Sequence, residues 1–305
     1  RPVSVGVGHA DAGVVETLLA QQAHGGPVGV PGVEVDSVVA TVVVENIGGA
    51  GGAIGVQKTV NSTADGHTIT LASPLELIVA PLTLAAVKYK PEEVKVVAQI
   101  VKAPLVLLAR KDLPANNLKE LLPYLKANAE KINVAHAGLG AVSHLCSLLF
   151  RQALGTDFQT VPFGGTAPAL NALLGSQVDL LCDQTTNTTS HIKAGTVKMY
   201  GVTTPNRIAA MPDQPSLDEQ GMKGFQMVVW HGVYAPKGTP PAVLEKLNGA
   251  VRAALNNPGF QTRMKELGAD VVPESKRTSQ GLKSWLQAET ERLGLVIRSA
   301  GTYAD

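Results

Sequence analysis

The residues most able to do chemistry lie in the stretch INVAHAGLGAVSHLCSLLF, residues 132–150. An apolar run meets Gly138-Leu139-Gly140, and an apolar helical pattern starts at once. The first N–H groups of a helix have no carbonyl partner within it, and a loop of small residues lets an anion approach them. Ser143 and His144 would extend that set of donors. Nucleotide chemistry is excluded by what is missing. GLGAVS lacks the third glycine of a dinucleotide fingerprint, with no acidic residue about twenty positions on. GGAGGAIG, residues 48–55, lacks the Lys-Ser/Thr of a phosphate loop. The histidines (His9, His24, His67, His136, His144, His191 and His231) form no HxxxH or HExxH pair, so no metal ligation and no cofactor is expected. No GxSxG elbow is present, although a Ser-His-Asp triad drawn from distant positions stays open. His144 reads as a buried hydrogen-bonding residue. Asp183, after VDLLC, either orients a ligand or caps the next segment, and the cap is the preferred reading. Cys146 and Cys182 read as two buried thiols, since a disulfide would need their Cα atoms within about 7 Å.

The elements that must position these residues repeat one order: a short β-rich run, a small-residue loop, a helix. PVSVGV precedes GHADAG and VVETLLAQQ, and ATVVVEN precedes IGGAGG and AIGVQKTVN. INVAHA precedes GLGAVSH and LCSLLFRQAL, and DFQTVPF precedes GGTAPA and LNALLGS, followed by the strand QVDLLCD. Such alternation predicts an α/β fold of mainly parallel sheets covered by helices, with ligands at the carboxyl ends of the strands, where all four loops fall. NLKELLPYLKANAE is amphipathic, with Leu118, Leu121, Leu122 and Leu125 on one face. TPPAVLEKLNGAVRAALNN starts at prolines and ends at Asn257-Pro258. SQGLKSWLQAETERLGLVIRSAG reads as a C-terminal helix, HGGPVGVPGVEV as a surface loop, and Trp230 and Trp285 as core. Composition shifts near residues 102–105 and 224–232 divide the chain into one lobe of residues 1–103 plus 229–305 and a second of residues 104–228.

The 305 residues, 45% apolar and 17% charged, suffice for two real cores. A net charge of +1 recruits neither nucleic acid nor anionic lipid. No apolar run approaches the ~20 residues of a membrane helix. Arg1-Pro2 leads straight into the strand VSVGV, as in an exported protein after processing. Aromatics at 4% argue against the stacking platforms of a sugar cleft.

These motifs carry a family resemblance, colinear over nearly the whole chain. VVVENIGGAGGAIGVQ, TADGHTITLASP, GLGAVSHLCSLLF, VPFGGTAPALNALLGSQVDLLCD, HIKAGTVKMYGVTTPNR and WHGVYAPKGTPPAVLEKLN resemble, in order, motifs of the substrate-binding proteins of tripartite tricarboxylate transporters, the Bug or TctC family. The resemblance implies a periplasmic, two-lobed Venus-flytrap protein, monomeric and without catalysis, that delivers a small carboxylate to membrane components of such a transporter. One ligand carboxylate would sit on the N–H groups from Gly140 through Ala141 and Val142 to Ser143, beside Gly138 and His144. The first loop, with His9, Ala10, Asp11 and Ala12, and the strand end at Ser73 and Pro74 would close over the other end. Gly165 and Thr166 would line the cleft, with Asp183 at its edge. The lobes would close about crossings near Pro104 and Gly232. This sequence departs from the family in its first loop, GVGHADAG, which is short and has Thr17 near the expected arginine. It departs again where Ala141 and Val142 replace Thr-Ser. The lost hydroxyls favour a ligand with an apolar body, as does SPLELIVAPLTLAAVKY, which looks like adipate- and terephthalate-type members. An α/β hydrolase or transferase using the same cleft is the alternative, and turnover of the ligand would reveal it. Asp11 is expected to face solvent or cap its helix, which leaves His9 to meet the distal carboxylate. Protonation adds attraction, so affinity should rise as pH falls from about 8 toward 6, across the ~6.5 reference of histidine. In calorimetric titrations His9→Ala should flatten that rise and weaken diacids more than monoacids.

Overall fold

A computed structural model describes residues 3–7, 42–278, 283, 284, 286–288, 290 and 291. The first loop with His9, Ala10, Asp11, Ala12 and Thr17, the stretch HGGPVGVPGVEV, Trp285 and most of the expected C-terminal helix lie outside the described residues. Strands β1 (Val3–Val7), β2 (Val42–Asn46) and β3 (Thr68–Ala72) pair in parallel, with β1 between the others. Helix α1 (Ala53–Val60) joins β2 to β3. After β3 a π-helical turn, Leu75–Val79, runs into the short helix α2 (Ala80–Thr83). Then comes β4 (Val94–Arg110), a strand of 17 residues. The sequence predicted only its second half.

Beyond β4 lie α3 (Leu118–Ala127), β5 (Asn133–His136), α4 (Val142–Leu154), β6 (Gln159–Pro162), α5 (Thr166–Leu174), β7 (Leu180–Gln184), α6 (Thr185–Lys193) and β8 (Val197–Val202). The chain returns through β9 (Val228–Pro236), α7 (Pro241–Leu255), α8 (Pro258–Glu266) and β10 (Asp270–Val271). Two of these helices are capped by asparagine side chains. Asn117 accepts the Glu120 N–H at the start of α3, and Asn257 those of Gly259 and Phe260 at the start of α8. Leu118, Leu121 and Leu125 are buried, while Leu122 packs at the margin.

Strand order is β2-β1-β3-β9-β4-β7-β5-β6, with β10 and β8 also on β4. The parallel pairs are those the strand–loop–helix repeats require, and every antiparallel pair involves β4 or β9. β4 is the spine. From Val94 to Pro104 it pairs with β9, and from Leu105 to Arg110 with β7 and β8. The change of partner falls at Pro104, which has no N–H to give a ladder. Thr203 ties the change-over. Its Oγ1 accepts the Leu105 N–H at 3.0 Å, and its hydroxyl reaches Met227 O. Both halves of β4 are almost wholly buried, with Ile100, Val101, Leu105, Leu107 and Leu108 at the centre of the cores. No helix among the described residues is long and apolar enough to cross a membrane.

The two cysteines correct the reading as free thiols. α4 packs on β7, which brings the Cα atoms of Cys146 and Cys182 to 6.1 Å, and the two close a disulfide. Both are 1% exposed, so they are buried as expected, but bonded. The bridge spans 36 residues, and loop-closure entropy puts its contribution at about 4 kcal/mol. Urea unfolding of Cys146→Ala/Cys182→Ala beside the oxidised wild type should show a loss of that order.

Candidate functional site

Four helices, α1, α4, α5 and α6, begin at one cleft lined by Gly51, Ala141, Val142, Ser143, Thr166 and Gln184. Ser73, Leu75 and Glu76, on the same side as Gly51, come from the turn after β3 and face the starts of α4, α5 and α6. The enclosed part measures about 20 Å³, room for roughly one water, and the cleft space around it, open to solvent, about 290 Å³. Among the described residues no lysine or arginine lines it, so the positive potential of this wall comes from helix N-termini.

The loop before α4 is braced from within. Gly138 and Gly140 take φ of 111° and 78°, which an L side chain resists. Ala141 N–H donates to Gly138 O at 3.2 Å, and Gly140 N–H to His144 Nδ1 at 3.3 Å. Ala137 N–H donates to Ser143 Oγ at 2.9 Å. Two of the expected ligand donors, the N–H groups of Gly140 and Ala141, are therefore engaged inside the loop. The first bond of α4 runs from Leu145 N–H to Ala141 O, so the Val142 and Ser143 N–H groups stand ahead of the helix ladder. His144 is 6% exposed and stacks at 4.5 Å on His136. Burial, then the fields of His136 and Arg151, push His144 down to about 4. It is neutral at physiological pH, and its Nδ1 can accept from Gly140.

Thr166, next after Gly165, opens α5, and its hydroxyl donates to Asp183 Oδ2 at 2.9 Å. Asp183 is fully buried and also accepts from Gln184 N at 2.7 Å and Asn187 Nδ2 at 3.2 Å. Burial pushes its carboxyl up. It thus braces the turn into α6 without capping that helix, whose N-cap residue Gln184 makes no side-chain cap, and it also fixes Thr166 at the wall. Gln184 is 3% exposed, and its buried Oε1 has no hydrogen-bond partner. Ser73 forms a capping box with Glu76. Its N–H donates to Glu76 Oε2 at 2.8 Å, its hydroxyl donates to the same oxygen, and Leu75 N–H donates to Ser73 Oγ at 3.2 Å.

The structure thus places Ser73, Ala141, Val142, Ser143 and Thr166 on the wall. Pro74, Gly138, Gly140, His144, Gly165 and Asp183 stand beside or behind it. Sequence reasoning missed Gly51, Leu75, Glu76, Ala137 and Gln184 as wall residues. The S-x-x-E spacing of Ser73 and Glu76 was the one signal available. Among the described residues no cluster of His, Cys, Asp or Glu could hold a metal ion.

Residues 34–302 match the family described as the tripartite tricarboxylate transporter family receptor. A UPF0065 protein of Agrobacterium vitis is 41% identical over 265 residues, covering 85% of this chain and 75% of that protein. Among solved structures, the periplasmic binding protein BugD is 41% identical with a TM-score of 0.90, over 100% of this chain and 99% of that one. MatC of Rhodopseudomonas palustris, with bound malate, is 34% identical with a TM-score of 0.85, over 96% and 97%.

Gly51 sets how closely the two sides of the cleft meet. At φ 62°, a Cβ there would lie 2.7 Å from Leu139 O and 3.2 Å from Ala141 N. At Gly155, with φ 61°, an added methyl would meet nothing within 4 Å, so a substitution there reports left-handed strain alone. Both Gly→Ala variants should lose about 1–2 kcal/mol of stability. Only Gly51→Ala should also weaken ligand binding, by about tenfold or more, read by calorimetric titration beside an unfolding curve.

Proposed function

The chain belongs to the tripartite tricarboxylate transporter receptor family, and on that premise we propose that it captures a small dicarboxylate and hands it to the membrane components of a tripartite tricarboxylate-type transporter. Proteins of this family bind solutes and are not enzymes. The fold is the two-lobed α/β fold of periplasmic binding proteins. The observation that carries the ligand reading is the convergence of helix starts on a cleft with no cationic wall residue among the described residues. Helix N-termini and unpaired N–H groups recognise a carboxylate by geometry and partial charge. One carboxylate rests on the Val142 and Ser143 N–H groups and the Thr166 end of α5. Malate in MatC supports the diacid class. Leu75, Ala141 and Val142 supply an apolar band between the polar ends, which favours a ligand with a methylene or aromatic body.

The lobes of the proposal are the two sheets that share β4, residues 1–103 plus 229–305 and residues 104–228. The partner change at Pro104 and the β9 strand at Gly232 are the natural hinge, and closure brings Gly51 onto the loop before α4. Hinge closure is the mode general to periplasmic binding proteins. The protein works in the periplasm as a monomer.

A panel of acids tests the reading by thermal shift and calorimetry. Dicarboxylates from malate to adipate and terephthalate should stabilise the protein, by roughly 2.7 kcal/mol at a hundred times Kd. Sugars and neutral amino acids should not. Stabilisation by sugars with none by any diacid would overturn the reading. Consumption of a bound diacid, followed by NMR, would favour the hydrolase or transferase alternative.

A further inference from the structure

Glu76 is an acid in a cleft built for anions. It is 3% exposed and lines the cavity with Ser143 and Thr166. Its Oε2 takes both Ser73 donors, the N–H and the hydroxyl. Its main-chain carbonyl accepts from Tyr89 Oη, which fixes the turn from the other side. An ionised carboxylate here would repel the proposed ligand across a desolvated gap, at an energy that rises steeply as the dielectric falls. A neutral carboxyl is instead a donor, and pairs with a carboxylate through one short charge-assisted hydrogen bond.

We propose that Glu76 is a ligand-binding residue that meets the dicarboxylate as a protonated carboxyl, donating from Oε1 to one ligand carboxylate, so that binding takes up a proton wherever Glu76 is ionised in the free protein. The inference rests on the dicarboxylate reading above. It makes the protein a binder of a carboxyl–carboxylate pair, with the proton drawn from solvent and held between ligand and Glu76.

The surroundings agree. Burial pushes the Glu76 carboxyl up, against the Ser73 hydroxyl and the Glu76 and Ser73 N–H groups, which pull it down. Tyr89, from the segment after α2, and Tyr234, from β9, feel its charge, and both phenols stay protonated. His231, also on β9, is pushed down to about 3 by burial and carries no charge. Lys58 of α1 is paired with Glu45 at the surface. Among the described residues no cationic side chain forms an ion pair with Glu76. The neighbouring amide of Gln184, also nine-tenths buried, keeps an oxygen without a partner, an acceptor that a ligand hydroxyl such as that of malate can meet.

The sign follows from linkage. Below the pKa of Glu76 in the free protein the donor is already present. Above it, each pH unit should lower affinity by up to about tenfold, while the ligand itself stays fully ionised. The test is calorimetric titration of wild type and Glu76→Gln with L-malate and adipate, across pH and in buffers of differing ionisation enthalpy. Infrared spectra of both proteins, ligand-free and ligand-bound, would seek the carbonyl stretch of a protonated carboxyl. Expected are proton uptake by wild type, no uptake and a flat pH profile in Glu76→Gln whatever its absolute affinity, and a carboxyl band that rises on wild-type binding and is missing from the variant. A pH slope that persists in Glu76→Gln assigns it to another group, such as His9, and overturns the proposal. So does loss of binding in Glu76→Gln without proton uptake by wild type, the mark of an ionised Glu76 facing a ligand hydroxyl or ammonium. Failure of wild type to bind any diacid removes the dicarboxylate reading first, and this inference with it.

Discussion

The cleft depends on N–H groups that no helix can satisfy for itself. The starts of α1, α4, α5 and α6 meet at its wall, and a buried donor without an acceptor costs about 1–3 kcal/mol. The loops that lead into α4 and α6 satisfy their own donors separately. Ser143 Oγ takes the Ala137 N–H, His144 Nδ1 takes Gly140, and Asp183 takes Gln184 and Asn187. What is left over points at the ligand. The same bonds that quiet most donors therefore select the few that remain, and they hold those few rigidly. His144 serves only while neutral, and its burial, with His136 and Arg151 adding to it, keeps it so.

The sheets are arranged to present those helix starts from both sides. Parallel strands put the loops after β2, β5 and β6 at carboxyl ends, where a crossover helix must begin. β4 then lets two such sheets share one rigid member. Because Pro104 ends one pairing and Leu105 begins the other, the junction on this strand is a change of partner rather than a linker. The disulfide works at the other end of the device. Cys146 on α4 and Cys182 on β7 tie the helix whose start lines the cleft to the strand that carries Asp183 and Gln184.

Much of this was legible in the chain. The strand–loop–helix repeats place the ligand loops, because periodicity and glycine mark strand ends and helix starts without reference to tertiary contacts. Asn117, Asn257 and the prolines before α7 mark helix ends for the same reason. Direction is what a sequence does not carry. Gly140 looks like a ligand donor, yet its N–H turns inward to His144, since that depends on where the ring four residues on is packed. The disulfide needed β5 to pair with β7 before the two sulfurs could meet. In SPLELIV, Glu76 reads as the polar break in an apolar run. Only the π-helical turn, anchored by Tyr89, rotates it into the cleft.

A site made of backbone rather than arginine suits a carrier of the proposed kind. Two ionic pairs to a diacid would leave strong charges buried and uncompensated whenever the cleft emptied, at several kcal/mol each. Helix starts carry only about half a charge apiece and can be rewetted when the lobes part. Such a wall binds firmly enough when water is excluded and lets go when it returns. The substitution of Ala141 and Val142 for hydroxyl residues carries the logic further. It removes polar groups that would need partners in the empty state, and it leaves the side-chain polarity of the described wall to Ser73, Glu76, Ser143, Thr166 and Gln184.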